Sequence, residues 1–86
     1  MAINSQFRQA VAETIRHRRL LAGLTQSQLA DRIGGSEIGV RTWERAASAP
    51  SLETFLRLAE ALGVDAKELL AEIQSRIAFI QGRDER

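Results

Sequence analysis

The 86-residue sequence contains no cysteine and no tyrosine, and it has only one proline, one tryptophan and one histidine. Without cysteine, neither a disulfide framework nor a thiolate metal site can form, and a lone His17 supplies no ligand set for a metal. No apolar run approaches the roughly 20 residues of a membrane span, and residues 1–15 do not resemble a signal peptide. We therefore expect a cytoplasmic protein with no membrane segment, metal or cofactor.

The sequence also lacks the residue sets that carry out catalysis. We find no Ser/His/Asp arrangement, no cysteine nucleophile, no metal cluster and no phosphate-cradling glycine loop, so we do not expect an enzyme. Aromatic residues make up 5% of the chain, while Leu, Ala and Arg are frequent, which suits helices and not a sheet. The length fits one all-α domain, residues 1–86, with a single core.

Charge is distributed unevenly along the chain, although the net charge is only +1. Residues 1–45 hold seven Arg and four acidic residues, giving +3, whereas residues 46–86 hold five basic and seven acidic residues, giving −2. A basic N-terminal half agrees with a nucleic-acid partner for that half. The surplus is too small to identify such a partner without further evidence.

Residues 25–45 have the pattern of two short helices joined by a tight turn. Thr25 followed three residues later by Gln28 is a capping box, in which a hydroxyl and an amide satisfy backbone donors at a helix start. Two glycines can then take the positive φ that ends a helix, and Ser36 can cap the second one. We predict a helix-turn-helix here.

The second helix of this pair is expected to turn a mixed polar face outward, because Val40, Trp43 and Glu44 fall on its inward side. The outward residues are Glu37, Ile38, Arg41, Thr42 and Arg45. This is chemistry used to contact phosphates and base edges in a major groove, which favours a DNA-binding domain. The alternative for Glu37 and Arg41 is an intrahelical i, i+4 ion pair on a solvated face.

A carboxylate at position 44 on an inward face would be costly to bury unless a cation meets it. Arg19 lies in the apolar row of the first helix, and a planar guanidinium can meet a carboxylate through two parallel hydrogen bonds. We therefore predict a structural ion pair between Arg19 and Glu44. The alternative is two unrelated charges at the edge of the core.

Apolar periodicity and capping signals predict five helices in all. Asn4 or Ser5 is the expected cap of the first helix, and Pro50 separates the third helix from the fourth. The predicted helices cover residues 5–23, 25–33, 36–46, 51–62 and 65–81.

The fifth helix is longer than such a core needs, so Ile73, Ile77 and Ile80 are expected to form an apolar strip beyond the domain body. We predict that this strip is a homodimer interface, which would place two second helices about one DNA turn apart. The alternative is that the strip folds back on Phe7 and Val11 of the first helix.

The chain resembles the lambda-repressor-like, Cro/C1-type (XRE-type) helix-turn-helix family from about residue 15 to residue 70. The residues that carry the resemblance are Ile15, Arg19, Gly23, Leu24, Thr25, Gln26, Leu29, Ala30, Ile33, Gly34, Val40, Trp43, Glu44, Arg45, Pro50, Ser51, Leu52, Leu58, Ala59, Ala61, Leu62, Gly63 and Val64. The resemblance implies a five-helix fold with a recognition helix over 36–46, and it supports the pairing of Arg19 with Glu44.

The resemblance also implies a DNA-binding site. The expected base-contacting residues are Glu37, Ile38, Arg41 and Thr42. The expected phosphate-contacting residues are Arg16, Thr25, Gln26, Ser36 and Arg45. Two departures from the family affect this expectation. Ala46 stands where glycine is usual, so the recognition helix can run further or end in a different turn. Residues 46–49 also lack the Lys and Arg that many relatives place against phosphates, which predicts weaker and less salt-dependent binding.

From these observations we expect a transcriptional regulator, acting as a repressor, that binds a palindromic double-stranded DNA operator as a homodimer. One alternative is the antitoxin of a toxin–antitoxin pair, whose acidic C-terminal half would bind a toxin. Another is a protein-interaction module with the same fold, and its partner could be a protein such as an anti-repressor.

Overall fold

The computed structural model describes residues 2–84, and it describes side chains from residue 5 to residue 82. The described chain forms five α-helices and no strand. They are α1 (Ala2–Leu21), α2 (Gln26–Ile33), α3 (Glu37–Glu44), α4 (Leu52–Leu62) and α5 (Ala66–Asp84). The prediction of an all-α fold with five helices is confirmed.

Three of the helices begin at a hydroxyl residue that accepts a hydrogen bond from a backbone N–H three positions later. These caps are Thr25, Ser36 and Ser51, before α2, α3 and α4 respectively. The prediction that Asn4 or Ser5 caps α1 is wrong, because α1 already begins at Ala2. No proline or glycine lies between residues 2 and 22, so nothing in the local sequence prevents the helix from starting earlier.

Helix α3 ends at Glu44, earlier than the predicted end at residue 46, because Ala46 takes the left-handed conformation at φ 61°. The backbone N–H of Ala46 donates to Trp43 O at 3.1 Å, and that of Ala47 donates to Thr42 O at 3.1 Å. This is the Schellman pattern that glycine usually provides. Alanine therefore ends the recognition helix in the conformation expected of the family's glycine.

The most extensive helix–helix contact joins α1 to α5. Ile73 and Ile80 are 3% and 2% exposed, and they belong to the same buried core as Val11 on α1, with Ile77 packed against it. The prediction that these three isoleucines form a strip outside the domain body is therefore wrong. The alternative, that the strip folds back on α1, agrees with the burial of Val11 in the same core.

Polar contacts also hold α5 to α1. Arg18 donates from Nε and Nη2 to the carboxylate of Glu72, and the pKa of Arg18 is raised by these hydrogen bonds. One turn further along, Arg76 Nε donates to the buried hydroxyl of Thr14 at 3.2 Å.

No helix in the described part of the chain is both long and apolar enough to cross a membrane.

Candidate nucleic-acid interface

The inward side of α3 is fixed by packing, which leaves its other side in solvent. Val40 is fully buried, and Trp43 packs against the core formed in part by Leu29 and Ala30 of α2. The connection between α2 and α3 is short because Gly34 takes the left-handed conformation at φ 69°. The two helices therefore hold a fixed angle, and the outward side of α3 is rigidly presented.

The outward side of α3 carries the residues predicted to contact bases. Ile38 is 71% exposed, so its apolar side chain is available for contact on this face. Glu37 and Arg41 are about half exposed, with side-chain values of 46% and 47%. Thr42 completes the set, and its hydroxyl donates to Ile38 O at 2.7 Å, so its oxygen remains available as an acceptor.

Glu37 and Arg41 form the i, i+4 ion pair that was the alternative interpretation of these residues. Arg41 Nη2 donates to Glu37 Oε2 at 2.9 Å. In the absence of DNA, the cation predicted to contact a guanine is therefore already bound to a carboxylate on its own helix.

The N-termini of α2 and α3 can hold anions. At α2, Thr25 Oγ1 accepts from Gln28 N at 3.0 Å, and Thr25 N donates to Gln28 Oε1 at 2.9 Å. At α3, Ser36 Oγ accepts from Gly39 N at 3.1 Å. These bonds hold each first turn in place, and the next backbone N–H groups point outward together with the positive end of the helix dipole.

A polar network joins the core to the start of α2. Arg19 Nε and Nη2 donate to Glu44 Oε2 and Oε1 at 2.6 and 2.9 Å, and Arg19 Nη1 donates to Leu24 O at 2.9 Å. The side chains of Arg19 and Glu44 are 11% and 5% exposed. The hydrogen bonds to Glu44 raise the pKa of Arg19, against the opposing effect of burial, and the raised pKa favours the charged guanidinium.

Gln26 is the third member of this network. Its Nε2 donates to Glu44 Oε1 at 3.0 Å. Sequence reasoning assigned Gln26 to a phosphate and missed this bond, because a contact between residues 18 positions apart leaves no signal in the local pattern. The amide carries a second hydrogen on Nε2, which is not used by Glu44.

The remaining predicted phosphate contacts lie at separate places. Arg45 is exposed at the C-terminal end of α3, and Arg16 is exposed on α1.

The structure brings Glu37, Ile38, Arg41 and Thr42 together on one helix face. Thr25, Gln26, Ser36 and Arg45 lie at the ends of α2 and α3, whereas Arg16 belongs to a different helix.

A family model described as helix-turn-helix matches residues 15–69, well over half of the chain. No curated protein matches the sequence significantly.

Solved structures show the same fold. The clp gene regulator ClgR from Corynebacterium glutamicum superposes with a TM-score of 0.85 at 24% identity, covering 92% of this chain and 84% of that chain. A second structure of the same regulator gives a TM-score of 0.74 at 26% identity, covering 80% and 90%. A hypothetical transcription factor, NHTF, from Neisseria gives 0.72 at 32% identity, covering 85% and 84%. With the family model, these matches show that the chain belongs to the Cro/C1-type (XRE-type) helix-turn-helix family of DNA-binding transcription regulators.

Proposed function

We propose that the protein is a sequence-specific regulator that represses transcription by occupying a two-fold symmetric operator as a homodimer. The observation that carries this proposal is the outward side of α3, where the exposed Ile38 lies beside the Glu37–Arg41 pair on a helix whose opposite side is buried. A helix held in this way can enter a major groove without distortion. The mechanism is steric occupancy and involves no chemistry.

Each proposed base contact follows from donor and acceptor chemistry. The Arg41 guanidinium can donate to O6 and N7 of a guanine, and Ile38 can contact a thymine methyl. The Thr42 hydroxyl oxygen can accept from an exocyclic amine. These three side chains lie within about two helical turns, so they can contact adjacent base pairs.

The proposed phosphate contacts are concentrated at helix ends. Backbone N–H groups at the starts of α2 and α3, together with the free amide hydrogen of Gln26, can bind backbone phosphates. Arg45 and Arg16 add two exposed cations. Because residues 46–49 contribute no cation, we expect modest affinity for one protomer and a shallow dependence on salt.

A second copy of the chain is the proposed partner of an apolar surface on α4 and α5. Leu52, Leu56 and Leu70 are 74%, 52% and 48% exposed, although each is a large apolar side chain. Leu52 and Leu70 line a groove between α1, α4 and α5. Its lining residues are Phe7, Val11, Ala49, Pro50, Leu52, Phe55, Leu70 and Ile73. A two-fold contact here would cover this surface and pair two recognition helices.

Selection of bound duplexes from a random pool, followed by anisotropy titrations, tests the function. We expect an enriched palindrome whose half-sites are about one helical turn, 10–10.5 base pairs, apart. If no motif is enriched and all binding is weak and erased by moderate salt, the proposal is wrong. A protein-interaction module with this fold would give that result.

A further inference from the structure

We propose that Glu37 does not contact a base but is a positioning residue, which holds the Arg41 guanidinium for guanine and makes the other bases unfavourable at that position. This inference rests on the proposed DNA-binding function. It replaces the two interpretations of Glu37, base contact and solvated ion pair without function, with a third role that acts through Arg41.

The geometry of the pair leaves Arg41 able to bind guanine. Glu37 Oε2 receives one hydrogen bond from Nη2 at 2.9 Å. Nη2 carries two hydrogens, and Nη1 and Nε carry three more. A guanidinium held by one such bond therefore retains a pair of parallel donors for O6 and N7.

The backbone that carries the carboxylate of this pair is held by the helix cap. Glu37 is the first residue of α3, directly after the Ser36 cap whose hydroxyl accepts from Gly39 N. A carboxylate in the first helical turn is also stabilised by the helix dipole. Arg41, by contrast, has a long, exposed side chain that can adopt many rotamers. The carboxylate of Glu37 therefore restricts the guanidinium of Arg41.

The charge of Glu37 explains why this residue contributes to the selection of a base and not to the affinity for DNA. A carboxylate in the groove is repelled by phosphates and by the acceptor atoms of bases, unless a cation lies between them. With guanine, Arg41 bridges the carboxylate and the base. Adenine and thymine each offer Arg41 one acceptor instead of two, and cytosine offers none, so guanine is the base that Arg41 bridges best to the carboxylate. At thymine, whose O4 is only an acceptor, the unbridged carboxylate is also repelled.

The test compares the wild type with Glu37→Gln, in random-pool selection and in competition titrations. A matched control is Glu53→Gln, because Glu53 and Arg57 on α4 form the same Nη2–Oε2 pair at 2.9 Å. For Glu37→Gln, we expect the preference for guanine at one base pair to fall about two- to fivefold, while affinity for unrelated duplex rises by about twofold or more. Glu53→Gln should leave the base preferences unchanged.

A second measurement does not involve DNA. The ¹⁵N relaxation of Arg41 Nε should show a more ordered side chain in the wild type than in Glu37→Gln, and circular dichroism should show that both are folded. Equal order in the two proteins would overturn the inference.

Three binding results would contradict the proposal. Loss of a cytosine preference at a neighbouring pair, with guanine preference intact, would make Glu37 a base contact. Unchanged preferences would make the pair a solvated one without function. If the wild type enriches no site at all, the proposed function fails and this inference fails with it. If the wild type enriches a motif but Glu37→Gln gives either of the first two results, only the inference is overturned.

Discussion

Among single residues, Glu44 connects the core to the surface proposed to face DNA. It accepts two hydrogen bonds from Arg19 and one from Gln26, and its side chain is almost fully buried. The carboxylate therefore completes a charge pair and also holds the amide at the start of α2. Loss of this one group should affect both stability and DNA binding.

Replacing Glu44 with alanine should lower the free energy of unfolding by about 3 kcal/mol, because Arg19 is left buried without its counter-ion. Urea denaturation followed by circular dichroism measures this change. The exposed pair on α4 provides the control, since Glu53→Ala should cost less than about 0.5 kcal/mol. A cost for Glu44→Ala as small as that of the control would mean that water reaches the Arg19 guanidinium.

The sequence was sufficient to predict the starts of α2 and α3, because local chemistry decides where these helices begin. The caps Thr25 and Ser36 follow from the sequence because a hydroxyl before an amphipathic run has one favourable backbone partner. Ala46 was more difficult, because its left-handed conformation is unfavourable for alanine and no residue type in the local sequence predicts it.

At the scale of elements, α3 contains a glycine where a stronger helix former would be expected. A Cβ built on Gly39 would meet Ser36 Oγ at 3.4 Å and Trp43 Cζ2 at 3.8 Å, which are ordinary contacts. The interior of the protein therefore does not require glycine at this position. Close approach of the α3 backbone to DNA gives a reason for its presence.

The substitution Gly39→Ala should raise the free energy of unfolding by about 0.5–1 kcal/mol through helix propensity. It should also weaken binding to the selected operator, because the added methyl group moves the helix away from the groove. Thermal unfolding and anisotropy measure the two effects separately. Unchanged operator affinity in the stabilised variant would show that only side chains, and not the α3 backbone, approach the DNA.

The arrangement of α1 and α5 shows what periodicity cannot decide. The isoleucines of α5 were correctly recognised as apolar and on one side, but their partner was misidentified. An apolar stripe on a helix is the same whether it is covered by another helix of the same chain or by a second chain. The missing information was the packing of α5 along α1, since the contacts of Thr14 with Arg76 and of Arg18 with Glu72 join residues more than 50 positions apart.

For the whole molecule, the proposed homodimer depends on the apolar surface of α4 and α5. Changing Leu52→Asp should shift the sedimentation coefficient from that of a dimer to that of a monomer and should remove cooperative binding to a palindrome, since a charge would be buried at the contact. Leu20→Asp is the matched control, because Leu20 is also a highly exposed leucine but lies near the end of α1. A wild type that sediments as a monomer at high concentration would refute the dimer.

Trp43 gives the molecule a spectroscopic property. It is the only tryptophan in a chain without tyrosine, and it lies half-buried on α3, one residue before Glu44. Its intrinsic fluorescence therefore originates entirely from the recognition helix and its contact with the core. Unfolding will expose the indole to water and shift its emission to longer wavelengths, without any attached dye. Each variant described above can thus be followed with the unlabelled protein.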